Sequence, residues 1–307
     1  YVVDGVICDD IQFLNSQDIE RIDVLKDASS TAIYGSRATA GVIMVTTKSG
    51  SNVNKTKLTK PTISYDGYYG VTKIARTPDF MSGSEFMDLR FGKFLMFTGE
   101  RNARNDFYMP GGTAPTTIAQ ALLLKDTSDP NSGYLLKEMV ANGNTYNWPD
   151  LVTQTGQSQN HYLSISGAKE GINYHFGVGY DGNEGVYKGD KQDKLNFKGS
   201  LDAKINKVIS AGFSMNMAYI DNEYANDDAV KVAYRMTPFS IPYDAEGNIN
   251  HLPGNKGSLG TNEHQFSDNI SPLDLMKNTY KQRETWRLLG NIYLQLDLMK
   301  GLNFKTT

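Results

Sequence analysis

The stretch Gly171-Ile-Asn-Tyr-His-Phe-Gly-Val-Gly-Tyr-Asp181 decides the fold of this chain. Every second residue from Ile172 to Tyr180 is large and apolar or aromatic, whereas the residues between them are polar or glycine. Because successive side chains of a β-strand point to opposite faces, this period of two predicts a strand with one apolar and one polar face. The pattern recurs in strands starting near Leu195, Ile209 and Trp286, in shorter versions at residues 63–71 and 162–168, and in a last strand from Leu302.

The lengths of the connections distinguish a β-sandwich from an up-and-down β-barrel. The tight turns are at residues 169–171, 206–207 and 300–301, and the long connections between them are at residues 72–158, 182–193 and 221–280. A membrane barrel shows this strict alternation because its periplasmic turns are short and its extracellular loops are long. Strands of roughly ten residues are also long enough to cross a bilayer when tilted. The sequence therefore predicts an all-β, antiparallel, multi-pass transmembrane barrel of a bacterial outer membrane, with its wall in residues 61–307.

The composition excludes several other classes of protein. Charged residues make up 21% of the 307 residues and the net charge is −3, so nothing indicates binding to nucleic acid. No apolar stretch approaches the roughly 18 residues of a helical membrane span. The single cysteine, Cys8, excludes an internal disulfide. The 18 Tyr and 29 Gly suit a β protein with aromatic girdles, although a sandwich can have the same composition.

The number of strands carries a further expectation. The alternation predicts seven strands, whereas the smallest bacterial barrels have about eight. A sheet in lipid cannot end in open edges, because each unsatisfied backbone group there costs several kcal/mol. We therefore expect this sequence to be a segment of a larger chain, with further residues at both ends.

Residues 1–50 have a different pattern from the wall. Strands are predicted at residues 1–4, 20–26 and 41–48, and one helical turn lies between Asp27, a plausible N-cap, and Gly35. Residues 51–60 form a polar linker into the first strand of the wall. The sequence thus predicts a small α+β module directly ahead of the barrel.

This module carries a resemblance to a known family. The stretch Asp18-Ile-Glu-Arg-Ile-Asp-Val-Leu-Lys-Asp-Ala-Ser-Ser-Thr-Ala-Ile-Tyr-Gly-Ser-Arg37, followed by Gly41-Val-Ile-Met-Val-Thr-Thr-Lys48, resembles the end of the plug domain of TonB-dependent transporters. Tyr1-Val-Val-Asp-Gly5, together with Lys26-Asp-Ala and Ile33-Tyr-Gly-Ser-Arg37, is similar to the SusC-like branch. The resemblance extends over essentially the whole chain, through residues 80–90, 156–167, 173–185 and 271–307.

The resemblance implies a barrel of about 22 strands with the plug folded inside its lumen. It also implies active import of oligosaccharides or peptides, with a SusD-like surface lipoprotein over the extracellular mouth. TonB would act on the plug through a segment upstream of this chain. Two alternatives stay open: a siderophore- or cobalamin-type TonB-dependent receptor, and a structural or secretion-associated outer-membrane component.

Four plug residues match the motif of the family and are expected to contact the barrel: Tyr34, Gly35, Arg37 and Gly41. One interpretation is structural, with glycines in tight turns and Arg37 paired with carboxylates of the wall. The other makes Arg37 part of a latch that breaks during transport.

The first long loop supplies candidates for substrate binding. Helical stretches are predicted near residues 84–97 and 118–125, followed by an aromatic patch. Because sugar-binding surfaces combine aromatic faces with carboxylates and amides, the candidates are Tyr108, Tyr146, Trp148 and Asp150. The alternative is that these residues pack within the loop or contact the lipoprotein.

Two short motifs favour structural roles over ligand binding. Gly177-Val-Gly-Tyr-Asp-Gly182 fits the dinucleotide fingerprint, but that fingerprint needs a helix after its glycines, and here a strand is predicted to contain them. Asp244-Ala-Glu-Gly-Asn248 offers oxygen ligands without the spacing of a calcium loop, so a hairpin turn is predicted, with a loop-bound Ca²⁺ as the alternative.

No catalytic arrangement is predicted. The four histidines are scattered along the sequence and show no metal-ligand spacing: His161, His175, His251 and His264. His175 is predicted to be a polar residue facing the lumen. No nucleophile with a nearby base is recognisable, so we expect neither an enzyme nor a bound cofactor.

Overall fold

The computed structural model describes residues 1–27, 32–49, 59–86, 145–244, 246–251, 253, 270–299 and 301–307. It contains a four-stranded sheet near the start of the chain and a seven-stranded sheet after it. We refer to residues 1–49 as the plug and to the seven-stranded sheet as the wall. Among the described residues, no helix is both long enough and apolar enough to cross a membrane.

The plug sheet has the strand order β2-β1-β4-β3. Its strands are β1 (Val2–Val3), β2 (Val6–Ile7), β3 (Ile19–Leu25) and β4 (Val42–Thr47). β1 runs parallel to β4, whereas β1 with β2 and β3 with β4 are antiparallel. Strands were therefore correctly predicted at residues 1–4, 20–26 and 41–48.

Two short 3-10 helices complete the plug, at Ser16–Asp18 and Ala32–Ala38. The single helical turn that was predicted to end at Gly35 is wrong in one respect. Helical geometry is interrupted at Gly35, where φ is 68°, and resumes up to Ala38. Glycine tolerates this left-handed conformation because it has no Cβ.

The wall is an antiparallel meander in which each strand pairs with its neighbours in sequence, from β5 to β11. Its strands are β5 (Thr59–Thr72), β6 (Gly156–Lys169), β7 (Ile172–Glu184), β8 (Lys191–Lys204), β9 (Ile209–Glu223), β10 (Gln282–Met299) and β11 (Leu302–Thr306). All seven predicted strands are present in the predicted order, which confirms the up-and-down arrangement of this part of the chain.

Several strands extend beyond the predicted ends on the side of the long connections. β8 begins at Lys191 instead of Leu195, and β10 begins at Gln282 instead of Trp286. At these ends charged and amide side chains occupy both faces, so the alternation disappears although backbone pairing continues. The alternation of side chains shows which part of a strand meets an apolar environment. It does not show how far the backbone hydrogen bonding to the neighbouring strand continues.

The first tight turn lies where it was predicted, the second extends over residues 205–208 instead of 206–207, and residue 300 of the third lies outside the described residues. β6 ends at Lys169 and β7 begins at Ile172, and the residues between them, Glu170 and Gly171, have φ angles of 43° and 84°. Positive φ at both central positions is the geometry of a two-residue hairpin turn whose twist matches that of the strands.

The outer face of the wall is apolar and exposed. On β10, Trp286, Leu288 and Ile292 are 66%, 69% and 76% exposed. Further along the sheet, Leu195 on β8 and Val178 on β7 are also exposed, and the strand register places them on the same face as Trp286 and Leu288. A continuous exposed apolar face on a sheet marks a surface that contacts lipid or another apolar partner.

Tyrosine rings lie over glycines of neighbouring strands at several places in the wall. A Cβ built on Gly167 would lie 2.6 Å from the hydroxyl of Tyr174, and one built on Gly212 would lie 2.6 Å from a ring carbon of Tyr293. These glycines are the residues paired with those tyrosines across the strands. The absence of a side chain on the glycine thus makes room for the ring.

The described parts of the long connections contain a cluster of helices of their own. It contains α1 (Trp148–Val152), α2 (Asp227–Ala233) and α3 (Pro272–Asn278). Its centre consists of Trp148, Val152 and Ala233, each at most 1% exposed. We refer to these three helices and the side chains packed on them as the loop cluster. Of the two helical stretches predicted in the first long connection, the first is helical over residues 83–86, and the rest of both lies outside the described residues.

Candidate functional site: the interface between plug and wall

The plug lies against the polar face of the wall. One face of the plug sheet carries Val3 and Val45, which pack with Ala218 and Ile220 of β9. This apolar contact covers only part of the interface. The rest is formed by charged and polar side chains, most of them buried.

Lys198 is at the centre of the polar part. Its side chain is on β8, faces the plug and is 0% exposed. The Nζ atom donates hydrogen bonds to Oγ1 of Thr47 at 2.5 Å and to Oγ of Ser214 at 2.9 Å. It also lies 3.6 Å from Oδ2 of Asp4. One wall cation is therefore bound by two residues of the plug.

Asp4 is held in position by the plug itself. Its Oδ1 accepts a hydrogen bond from the backbone N–H of Thr47 at 2.8 Å, and its Oδ2 accepts one from the Thr47 hydroxyl at 2.5 Å. The φ angle of Asp4 is 48°, a conformation that few residues other than glycine, asparagine and aspartate adopt. Hydrogen bonds within the plug thus fix the Asp4 carboxylate without any contribution from the wall.

A second polar contact lies beside the first and involves Asp18. This carboxylate is 2% exposed and accepts a hydrogen bond from the hydroxyl of Tyr162 on β6. Nε2 of His175 on β7 lies 3.6 Å from Oδ1 of Asp18 and 3.4 Å from the Tyr162 hydroxyl. His175 is only 5% exposed and faces the plug, which confirms its prediction as a polar inner-face residue.

Weaker contacts surround these two. Nδ2 of Asn196 donates to the carbonyl of Phe13 at 2.5 Å. Arg287 on β10 pairs with Asp10 at 2.9 Å, with both side chains more than one third exposed. The Arg287–Asp10 pair is therefore partly in water, whereas the Asn196 hydrogen bond is buried.

The glycines of the dinucleotide-like fingerprint belong to this interface. Gly177 and Gly179 lie inside β7, as predicted. A Cβ on Gly177 would lie 2.7 Å from Cζ of Tyr162, and one on Gly179 would lie 2.5 Å from Nδ2 of Asn15 in the plug. These glycines make room for a wall tyrosine and for the plug.

Contact of the four expected plug residues with the barrel stays a prediction. Tyr34 packs on Val2 and Val42 within the plug, and its hydroxyl lies 3.8 Å from the sulfur of Met44. Gly35 and Gly41 have φ angles of 68° and 103° and form turns.

Arg37 is exposed, and it forms no ion pair with any residue in the described ranges. The wall contacts seen here come from Asp4 and Asp18 instead. The latch role of Arg37 stays a prediction.

The candidates for substrate binding are not brought together as an open site. Trp148 is 1% exposed, and its indole N–H donates to the carbonyl of Ser240 at 3.2 Å. It fills the loop cluster, so the alternative of packing within the loop applies to it. Tyr146 is half-buried against the same cluster, whereas Asp150 is exposed and accepts a hydrogen bond from Asn147 at 2.7 Å. Tyr108 lies outside the described residues.

The segment at Asp244 is a hairpin turn, as predicted. Its two carboxylate oxygens accept hydrogen bonds from Asn248, at 2.7 Å from the backbone N–H and at 3.1 Å from the side chain. These hydrogen bonds lower the pKa of Asp244. Within the described parts of the chain, no three His, Cys, Asp or Glu side chains converge in a way that could hold a metal ion.

Sequence reasoning missed the main interface residues, namely Asp4, Asp18, Tyr162 and Lys198. A partial signal existed for Lys198, which falls on the polar face of its strand in the predicted alternation. The partners of that face could not be read from the sequence, because they come from segments more than 100 residues away.

The sequence is similar to that of TonB-dependent receptors. Residues 1–42 match the TonB-dependent Receptor Plug Domain. The chain is 28% identical over 304 residues to TonB-dependent receptor P26 of Formosa agariphila, a match that covers 96% of this chain and 25% of that protein. It is 30% identical over 196 residues to TonB-dependent receptor SusC of Bacteroides thetaiotaomicron, covering 61% of this chain and 15% of that protein. The chain is similar to SusC-like TonB-dependent receptors, and its first 42 residues match their plug domain.

The fold is also found in solved structures. The chain matches the structure of the RagAB peptide transporter with a TM-score of 0.70 and 21% identity, covering 99% of this chain and 33% of that one. It also matches the RagAB peptide importer in its 'closed-closed' state, with a TM-score of 0.69 and 20% identity. The chain spans about a quarter of the length of receptor P26 and a smaller share of SusC. The total of about 22 strands stays a prediction.

Proposed function

We propose that the full-length protein imports oligosaccharides or peptides across the bacterial outer membrane by TonB-dependent active transport, together with a SusD-like surface lipoprotein. The observation that carries the proposal is the plug seated on the polar face of a wall whose other face is apolar and exposed. A membrane wall with an internal obstruction needs a means of moving the obstruction.

The chemistry of the interface supports a plug that moves. When two apolar surfaces separate in water, the free energy gained by burying them is lost in proportion to their area. Charged and hydrogen-bonding groups regain water on separation, so a buried ion pair adds little net stability over its separated, hydrated partners. The burial of Lys198, Asp4 and Asp18 in this interface therefore supports a plug that can separate from the wall.

The two cargo classes in the proposal come from the similarity to SusC-like proteins and from the RagAB structures. RagAB is described as a peptide importer, which supports peptides as one class of cargo. Asp150 and Tyr146 keep some exposure beside the loop cluster and stay candidates for contact with cargo or with the lipoprotein. The proposal therefore covers both oligosaccharides and peptides.

Gene deletion in the native host tests the proposal. The deletion strain should lose growth on, and uptake of, one labelled glycan or peptide mixture supplied as the sole carbon source, and the full-length gene should restore both. A lipoprotein should co-purify with the tagged full-length protein. A growth defect confined to iron or cobalamin limitation would favour the alternative receptor class, and undisturbed growth on every nutrient would favour a structural role.

A further inference from the structure

We propose that Lys198 and Asp4 form a charged seat that fixes the position of the plug on the wall while leaving it free to separate. The seat consists of Asp4 and Thr47 of the plug and of Lys198 and Ser214 of the wall. Its role in transport rests on the proposed function, whereas its role in seating the plug rests on the contacts alone.

The first argument is that neither half is complete without the other. Lys198 is 0% exposed, and burial of an ammonium group requires a nearby negative charge. The carboxylate nearest to it is Asp4 of the plug, at 3.6 Å. A displaced plug would leave Lys198 without the carboxylate of Asp4. The pair thus selects one register of the plug on the wall.

The second argument concerns the preorganisation of the seat. Asp4 receives two hydrogen bonds from Thr47, and the Thr47 hydroxyl in turn accepts from Lys198. The carboxylate therefore does not have to reorganise when the wall meets it. Preorganised partners give a contact that is specific in geometry without requiring a large apolar area.

The third argument concerns release. Once the plug moves away, Lys198 is left on a polar face beside Ser214 and Asn196, and Asp4 stays bonded to Thr47. Both charges then regain water, so separation does not strand an unpaired charge in an apolar place. Loss of one partner while the plug stays seated does strand a charge, and that situation is strongly unfavourable.

Thiol labelling of the full-length protein tests the seat. Ala218 is 0% exposed beneath the plug, so Ala218→Cys, in a Cys8→Ser background, reports whether the plug leaves the wall. Without an energy source, Lys198→Met should increase the labelling rate at position 218 by about tenfold or more, because Asp4 is then buried without a cation. The same background with Ala218 retained measures labelling elsewhere.

A double variant shows whether the effect belongs to the pair. Lys198→Met combined with Asp4→Asn should return the labelling rate to within about threefold of the parent, because neither group then carries a charge. Asparagine is suitable at position 4, since it tolerates positive φ. Lys191→Met on the same strand is the matched control: Lys191 pairs with Asp193, also on the wall, at 2.6 Å and should leave labelling unchanged.

The outcomes separate the seat from the transport proposal. Unchanged labelling in Lys198→Met, or a double variant labelled as fast as Lys198→Met, would overturn the seat. If Lys198→Met does not assemble, Asp4→Asn alone is measured by the same labelling, and an unaltered rate there overturns the seat equally. If labelling behaves as expected while deletion of the gene affects uptake of no nutrient, the seat stands and the import proposal fails.

Discussion

The plug–wall interface and the loop cluster both join segments that are distant in sequence, and they differ in the charge that they bury. The loop cluster is centred on Trp148, Val152 and Ala233. The plug–wall interface also has an apolar cluster, which includes Phe13 and Leu14, but beside it the interface buries the ammonium group of Lys198 and the carboxylate of Asp18. The loop cluster is thus built like a protein core, whereas the interface combines an apolar contact with buried charged contacts.

This difference explains how one chain can contain both permanent and reversible contacts. Apolar side chains pulled apart in water lose their stabilisation, and the loss grows with the area exposed. Paired polar groups exchange each other for water, so the net free energy of separation is small. Substitutions in the loop cluster and in the plug–wall interface should therefore differ in the size of their effect and in the part of the molecule that they affect.

The largest effect is expected for Trp148→Ala. Removal of a fully buried tryptophan side chain costs about 3–5 kcal/mol, because it leaves a cavity and an unpaired carbonyl at Ser240. Amide hydrogen exchange of the full-length protein should show lost protection in α1, α2 and α3 with little change in β5–β10. Trp286→Ala, on the exposed outer face, is the control and should leave the helices protected. Equal loss of protection in both variants would contradict the loop-cluster role.

Gly177→Ala should loosen the plug by a smaller amount. The new methyl group would meet the Tyr162 ring, with Cζ at 2.7 Å, and would displace the hydroxyl from Asp18. Overpacking of this kind costs about 1–3 kcal/mol. Labelling at position 218 should become faster. Gly290→Ala serves as the control, since its Cβ meets only the Ser214 carbonyl at 3.5 Å, and a similar response of both variants would refute the close contact.

Tyr162→Phe removes only a hydroxyl at the second polar contact. Asp18 would lose a donor while staying buried, which costs about 1–2 kcal/mol. The retained His175 keeps the effect below that of Gly177→Ala. Tyr65→Phe, which removes an exposed hydroxyl 2.8 Å from His161, should have no effect on labelling at position 218. Slower labelling in Tyr162→Phe would show that the contact with Asp18 opposes seating.

Arg287→Ala should have the smallest effect on the interface. The side chains of Arg287 and Asp10 are 47% and 38% exposed, and exposed pairs contribute about 1 kcal/mol or less. The labelling rate should change by less than about threefold, and high salt should reduce even that difference. An increase in the labelling rate as large as that expected for Lys198→Met would mean that the peripheral contacts, and not the seat, hold the plug.

Much of the wall could be predicted from the sequence, because lipid on one side and polar surroundings on the other impose a period of two. The ends of β8 and β10 could not, since charged side chains above the apolar band carry no alternation. The small sheet of the plug was also predictable from local pattern.

The candidate site was predictable only in part. Lys198 and His175 were assigned to the polar face, but their partners, Asp4 and Asp18, are far away in sequence, and no local pattern links them. Trp148 was named as a candidate for substrate binding with packing within the loop as the alternative, and a single tryptophan in a polar loop gives no periodicity that could decide between them. Its burial depends on α2 and α3, more than 70 residues further on.

The tyrosine rings that lie over glycines link the histories of residues on different strands. Gly167 with Tyr174, and Gly212 with Tyr293, each occupy one shared volume. At Gly167 only the ring of Tyr174 fills the space of a side chain, so this glycine can gain one only after its tyrosine has become smaller, and the two positions should change together among relatives of this chain. At Gly212 the carbonyl oxygen of Leu201 also lies 2.7 Å from a built Cβ, so this glycine should persist even where Tyr293 has become smaller.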